Sequence, residues 1–459
     1  MAERMLVGCG AGFSGDRTDA AIPVVREMRR RAEPGVLFFE CLGERTLALA
    51  HLRRRENPRT GHEPLLEDML EPVLTDCLTG DIAIVGNFGA ANPREAARRI
   101  ARLASDAGRP DAAIAVVEGD DVTHLVRADS LEPMGIDQGL GDQPLICANA
   151  YLGGHAIARA LDAGAQVVVT GRVADPAMVV GPAVQHFGWS WDDTDRIAAG
   201  TLAGHLLECG SQVTGGYFAD PGFKDVPDPA NVGFPLAEID ADGGIVVTKP
   251  GDTGGLVTPA TVKEQLLYEI HDPAAYLTPD VVLDISRVEV APAGPDRVAV
   301  SGARGHPRPD RLKVTVSVEG GWLGEGEISY AGPNARARAE LALDILKTRM
   351  PDGLRVRGDL IGVSSVFGAD NGTWDAAPEA AEDVRARIAV EAPTGDQAER
   401  AVREVTALLC CGPAAGGGAR TQTRRRVNTW SATAARADVE RGVTVTEQPA
   451  RQWTEAVDA

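Results

Sequence analysis

The stretch that most constrains this chain is Met5 to Asp16, MLVGCGAGFSGD, in which an apolar run gives way to Gly8, Gly10, Gly12 and Gly15. Arg17, Thr18 and Asp19 follow, and then a helical pattern from Ala20 to Arg31. A parallel strand hands over to a helix in this way, because glycine reaches positive φ without strain and lets a ligand approach the bare backbone. The helix N-terminus beyond such a turn offers unpaired N–H groups to an anion. As a dinucleotide fingerprint the string G-x-G-x-G-x-x-G is imperfect, although GVLFFE supplies Glu40 where a ribose would want an acid. Asp16 stands against that reading, since an acid there opposes a bound phosphate. A packing turn closed by Asp16 and a substrate loop are the other two readings.

The same alternation recurs. Val36 to Phe39, Ile82 to Val85, Ala113 to Val117 and Gln166 to Thr170 are short apolar runs, each followed by a polar turn and a helical pattern. Runs of this kind are strands buried on both faces, so the fold class expected is α/β: a parallel, Rossmann-like sheet flanked by helices. The carboxyl ends of its strands are then the place for chemistry. Collected there are Gly10, Gly12, Asp16 and Arg17 from the first loop and Asn87, Gly89 and Asn92 from GNFGAANP. Glu118 and Asp120 follow the fourth run, and Arg172 and Asp175 lie in TGRVAD. Asn92-Pro93 reads as a helix start with proline in the first turn.

Charge and thiols narrow the function classes. With 66 acids against 46 bases the chain carries a net charge of −20, which repels nucleic acid and anionic membranes. No apolar run approaches the ~20 residues a bilayer crossing needs, and no signal peptide is expected. Seven cysteines without a C-x-x-C pair predict reduced thiols and a cytoplasmic protein.

AAGTLAGHLLEC, from Ala198 to Cys209, places His205, Glu208 and Cys209 at helical spacing near a helix end, with Gln212 in the turn beyond. His205 could shuttle a proton, Glu208 could act as general acid or base, and Cys209 could be a nucleophile; a capping histidine and a buried thiol are the plainer alternatives. Lys249, ahead of Gly251, Gly254 and Gly255, forms a second glycine-rich anion cradle out of register for a Walker A motif. Beyond Pro279 strands bunch before helices, which predicts an α+β domain. The domains expected are therefore an α/β core over 1–278, an α+β domain over 279–418, and a basic segment with a loose polar tail over 419–459. Arg420, Arg424, Arg425 and Arg426 are the basic cluster of that segment.

GCGAGFSGDR, FECLGERT, GNFGAANP, TGRVADPA, AGHLLECGSQVTGG and TVKEQLLYEIHDPAAYLTPDV together resemble the blocks of the acyclic terpene utilisation AtuA family. The resemblance implies an enzyme or accessory protein of acyclic terpene or branched acyl-CoA breakdown, without an agreed catalytic set. Longer members look as though they carry a further C-terminal ferredoxin-like domain that this chain is expected to lack, so either a separate small subunit of that type, docking on the tail and arginine cluster, or none is expected.

The reading that follows is a hydratase or lyase acting on a CoA thioester or branched carboxylate by acid–base chemistry. Glu208, His205, Asp175 and Cys209 are its catalytic candidates, and the strand-end residues, Gln212 and Lys249 its binding candidates. A carbon acid next to a thioester needs a proton carrier and N–H donors for its oxyanion. A non-catalytic acyl-CoA-binding accessory protein and a nucleotide-cofactor oxidoreductase are the alternatives. No cofactor is firmly implied; a divalent ion among Asp120, Asp121 and Asp175 stays open, with NAD or flavin behind it. A homo-oligomer is expected.

Overall fold

The computed structural model describes residues 4–128, 130–134, 143–366 and 381–455. Its central feature follows from the apolar runs. Strands β1 (Arg4–Ala11), β2 (Gly35–Phe39), β3 (Ile82–Gly86), β4 (Ala113–Glu118) and β5 (Val167–Thr170) run parallel in the order β1-β2-β3-β5-β4. They are buried almost throughout, as continuous apolar strands covered on both faces should be. One set of helices, including Ala21–Arg31 and Pro93–Asp106, and a second, His155–Asp162, Ala177–Phe187 and Thr194–Leu207, pack on this sheet. The mixed α/β class is as expected.

The order differs from the doubly wound 3-2-1-4-5-6, which reverses at its first strand. Here β2 lies on one side of β1 and an antiparallel strand, β6 (Leu236–Asp240), on the other. Antiparallel strands β7 (Ile245–Thr248), β8 (Glu289–Gly294) and β9 (Arg297–Ser301) continue outward in the order β6-β7-β9-β8. At the far edge β10 (Thr444–Pro449) runs antiparallel to β4.

The register brings the strand ends together. Ala11 pairs with Phe39, Phe39 with Gly86, Gly86 with Val169, and Thr170 with Val117. The turns after all five parallel strands therefore start from one edge of the sheet.

The described residues form two compact units, one drawn from Met1–Gly139, Ile146–Ser317 and Thr429–Ala459, the other from Leu140–Leu145 and Val318–Asn428. The expected boundaries at 278 and 418 fall inside these units. Segment 279–317 belongs to the first because Val298 and Val300 alternate inward and complete the main sheet beside β7. The C-terminal segment is not a loose tail over its described part. Its strand covers the open edge of β4, and helix Ala450–Glu455 packs on Pro93–Asp106, with Trp453 buried and its Nε1–H donating to the Ile114 carbonyl at 3.2 Å. Residues 456–459 lie outside the described ones.

The second unit has the α+β character expected. From 318 it runs strand, helix Ala335–Arg349, strand Arg355–Ile361, strand Asp383–Ala392, helix Gly395–Cys411 and a last strand ending at 428. The first strand sits between the third and the last in the sheet, which is the ferredoxin-like βαββαβ arrangement. Inward residues such as Ile328, Ile388 and Val390 meet Leu343, Leu346 and Val405 of the two helices. The arginine cluster is engaged within this unit: Arg424 with Glu325 at 3.2 Å, Arg426 with Glu391 at 2.8 Å, and Arg425 over the Trp322 ring.

Trp453→Ala removes a buried indole and its hydrogen bond, so it should destabilise the first unit by about 3–5 kcal/mol. A wild-type melting temperature for this variant would mean that the C-terminal helix contributes nothing to the fold.

Candidate functional site

A cleft of about 550 Å³ is lined by residues from the carboxyl ends of β1, β2 and β5 and from the end of helix Thr194–Leu207, within the size range of small-molecule sites. The first loop contributes Gly12, Phe13 and Asp16, the second Glu40 and Glu44, the third Arg172 and Asp175. Tyr151, Tyr276 and Lys313 close it from segments outside these loops.

Helix Thr194–Leu207 starts on Asp193, whose carboxylate accepts from the Arg196 N–H, and is buried from Ile197 onward. A helix apolar all round is a core helix, and its end delivers Glu208 and Cys209 to the cleft. His205, fully buried one turn back, does not line it. His205 Nδ1 lies 3.1 Å from Glu208 Oε1, and Nε2 lies 3.3 Å from the Leu266 carbonyl. Glu208 Oε2 has no protein partner. Burial pushes the Glu208 carboxyl up to about 7 although His205 draws it back, and the negative end of the helix dipole acts in the same sense as burial. Burial disfavours the His205 imidazolium, but Glu208 beside it outweighs that and raises its pKa. Cys209 lines the cleft with its thiol pushed up by burial and by Glu208, so no thiolate nucleophile forms near neutral pH.

The approach of the first loop to this helix end depends on glycine. A Cβ on Gly12 would stand 2.5 Å from the backbone of Cys209 and Gly210, and Gly210 itself turns the chain at φ +55°. Asp16 closes its own loop, accepting from Gly12 N–H and Arg17 N–H, each at 2.8 Å. The helix begins only at Ala21, so this is no tight dinucleotide turn. Gly8 and Gly10 make room for Val24 and Phe39.

Opposite lies a carboxylate and guanidinium cluster. Arg172 is 1% exposed; its Nη1–H donates to the Leu42 carbonyl at 2.6 Å, its Nε–H to Val173 at 2.6 Å, and its Nη2–H to Asp175. These bonds leave the guanidinium no free bidentate fork for a substrate carboxylate. Glu40, the acid that a dinucleotide reading would set against a ribose, accepts from Asn87 Nδ2–H at 2.9 Å and Leu42 N–H at 2.8 Å. Burial raises its pKa well above the usual range, with Asp175 adding to that and Arg172 opposing it. Asp175 is likewise raised by burial and drawn back by Arg172. Glu44 goes the other way: burial opposes its charge, yet the Tyr151 hydroxyl at 2.7 Å and Lys313 Nζ at 3.3 Å hold it down to about 2. Lys313 and Arg172 both stand over the Tyr151 ring.

The other candidates lie behind or away from the cleft. Asn87 positions Glu40 and accepts from Cys41 N–H. Asp120, pushed up to about 6 by burial, accepts from Arg172 N–H and Asn149 Nδ2–H and fixes the Gly171-Arg172 turn. Gly89 lets the chain pass the Thr170 carbonyl, Asn92 Nδ2–H donates to Pro58 and Thr60, and Glu118 pairs with Arg94. Arg17 pairs with Asp19, and Lys249 donates to Thr253 O within a different cleft. Gln212 does line the main cleft. Among the described residues no group of His, Cys, Asp and Glu has metal-binding geometry, and Asp120, Asp121 and Asp175 are each bonded to other partners.

The fold and the cleft define a mixed α/β protein with several protonatable carboxyls gathered over parallel strand ends. Residues 5–445 match the family model for acyclic terpene utilisation family protein AtuA, and the chain belongs to that family. A comparison with curated proteins gave no match. No helix among the described residues is long and apolar enough to cross a membrane.

Glu208, like Glu40, Asp175 and Asp120, binds its proton more tightly folded than unfolded, so the stability it contributes is present below about pH 4.5 and is lost as pH rises through about 7. Glu208→Gln should make the fall in melting temperature across that window shallower, the other raised carboxyls keeping part of it, and leave it unchanged or higher above it. An unaltered pH slope would contradict the assignment.

Proposed function

We propose that this protein is an acid–base enzyme in acyclic terpene or branched-chain acyl breakdown, of the hydratase or lyase type, with Glu208 as the proton carrier. The observation that carries the reading is Glu208 itself: it lines the cleft, one oxygen lies on buried His205, the other is unpartnered, and its pKa stands at about 7. A group that titrates near the working pH both gives and takes a proton at low cost. The family's name supports the metabolic setting.

His205 acts as a positioning residue that keeps the Glu208 carboxyl oriented and shares its proton. In a hydration, the oxygen of water bonds to the β-carbon of an enoyl ester as the water gives one proton to the Asp175 carboxylate, the α-carbon receives a proton from Glu208, and the proton on Asp175 then returns to Glu208 through solvent; dehydration is the reverse. Asp175, partly open to the cleft with 30% of its side chain exposed, stands where it could orient the water. The Lys313 ammonium, held on Glu44 beside the Tyr151 hydroxyl that donates to the same carboxylate, is the donor with N–H groups left for a substrate carbonyl. The cleft is rich in acids, which favours a neutral thioester over a free carboxylate at the reacting end. A CoA ester is the substrate form proposed, in a homo-oligomeric cytoplasmic enzyme.

Incubating the purified protein with straight and branched enoyl-CoA and 3-hydroxyacyl-CoA esters, followed by mass spectrometry, should reveal gain or loss of one water. Glu208→Gln should lower kcat at least about 100-fold with an unchanged circular dichroism spectrum. Full turnover in that variant would remove Glu208 from the mechanism. No product from any ester would end the hydratase reading.

A further inference from the structure

We propose that an apolar cavity adjoining the acid–base cleft holds the hydrocarbon end of the substrate, so that the protein selects chain-bearing acyl esters over short ones; this rests on the reading of the cleft above. The cavity, about 390 Å³, is walled largely by carbon, with Met134, Ala174, Pro176, Leu277, Pro279 and Leu312 among its residues. Several of its polar members are already bonded: the Thr278 hydroxyl donates to the Val281 carbonyl at 2.7 Å, and Arg311 donates to Thr433 at 2.8 and 2.9 Å, while Glu269 and His271 also line it. A space walled largely by carbon rewards a hydrocarbon occupant rather than a charged one.

The two spaces adjoin. Tyr151, Asp175, Tyr276 and Lys313 line both, so a molecule with its carbonyl beside Asp175 and Glu208 has the apolar space as the neighbouring volume. Leu277 is 54% exposed at this wall, an apolar side chain without cover in the free protein. Tyr276, between the spaces, packs its ring 5.7 Å from that of His205, which couples the wall of the cavity to the proton-carrying pair.

Calorimetric titration of the full chain with acetyl, hexanoyl and decanoyl thioesters of N-acetylcysteamine tests this. These saturated esters cannot take up water, so binding is read apart from turnover. Wild-type affinity should rise about three- to four-fold per added methylene until the cavity is full. Met134→Trp, which fills the space, and Leu277→Asp, which charges its wall, should each weaken decanoyl binding by about ten-fold or more while acetyl binding stays as it was. Equal affinity across the series, or a chain-length preference untouched in both variants, would overturn the proposal. A protein that prefers long chains yet hydrates no enoyl ester would keep the cavity assignment and remove the acid–base reading; one that hydrates without preference would do the reverse.

Discussion

The contact between Gly12 and the Cys209-Gly210 backbone is the constraint on which the site depends. A β-carbon there would meet main chain at 2.5 Å, and backbone, unlike a long side chain, has nowhere to move. This contact draws the loop after β1 against the end of the core helix. Both sides of the cleft are then built on rigid elements, and the short Asp16 bonds to Gly12 and Arg17 keep the loop closed.

Burial at that junction sets the chemistry. Carboxyl groups brought to the ends of buried strands and of a buried helix lose hydration, and the protein compensates them unequally. Glu44 receives a hydroxyl and an ammonium and stays ionised. Glu208 receives one imidazole and sits at the negative end of a helix, so it titrates near neutrality. Glu40 is held by an amide and a backbone N–H. Environments that push neighbouring acids apart in pKa are the usual mark of divided acid and base roles.

Several of these roles were legible from the chain alone. The apolar runs and glycine turns gave the parallel strands, and the spacing of His205 and Glu208 gave a shared helix face. The misreadings have physical causes. Arg172, a binding candidate on its strand-end turn, does line the cleft, but a guanidinium buried to 1% exposure bonds the carbonyls around it. Glu118 and Lys249 sit on the right kind of turn, yet strand order carries them to other surroundings. Tyr151, Tyr276 and Lys313 left no local signal, because each joins the cleft from a segment unrelated to the strand-end loops.

What the amino-acid order determined by itself was local: which segments are strand or helix, where glycine must stand, and where a histidine and a glutamate share a face. Periodicity and φ preferences act over a few residues, so they can be read there. The tertiary structure alone decided that 279–317 completes the first sheet, that the C-terminal segment covers its edge, and which acids lie close enough to shift one another. Those outcomes turn on strand order and on dehydration by residues more than a hundred positions away, and neither is written in the spacing of near neighbours.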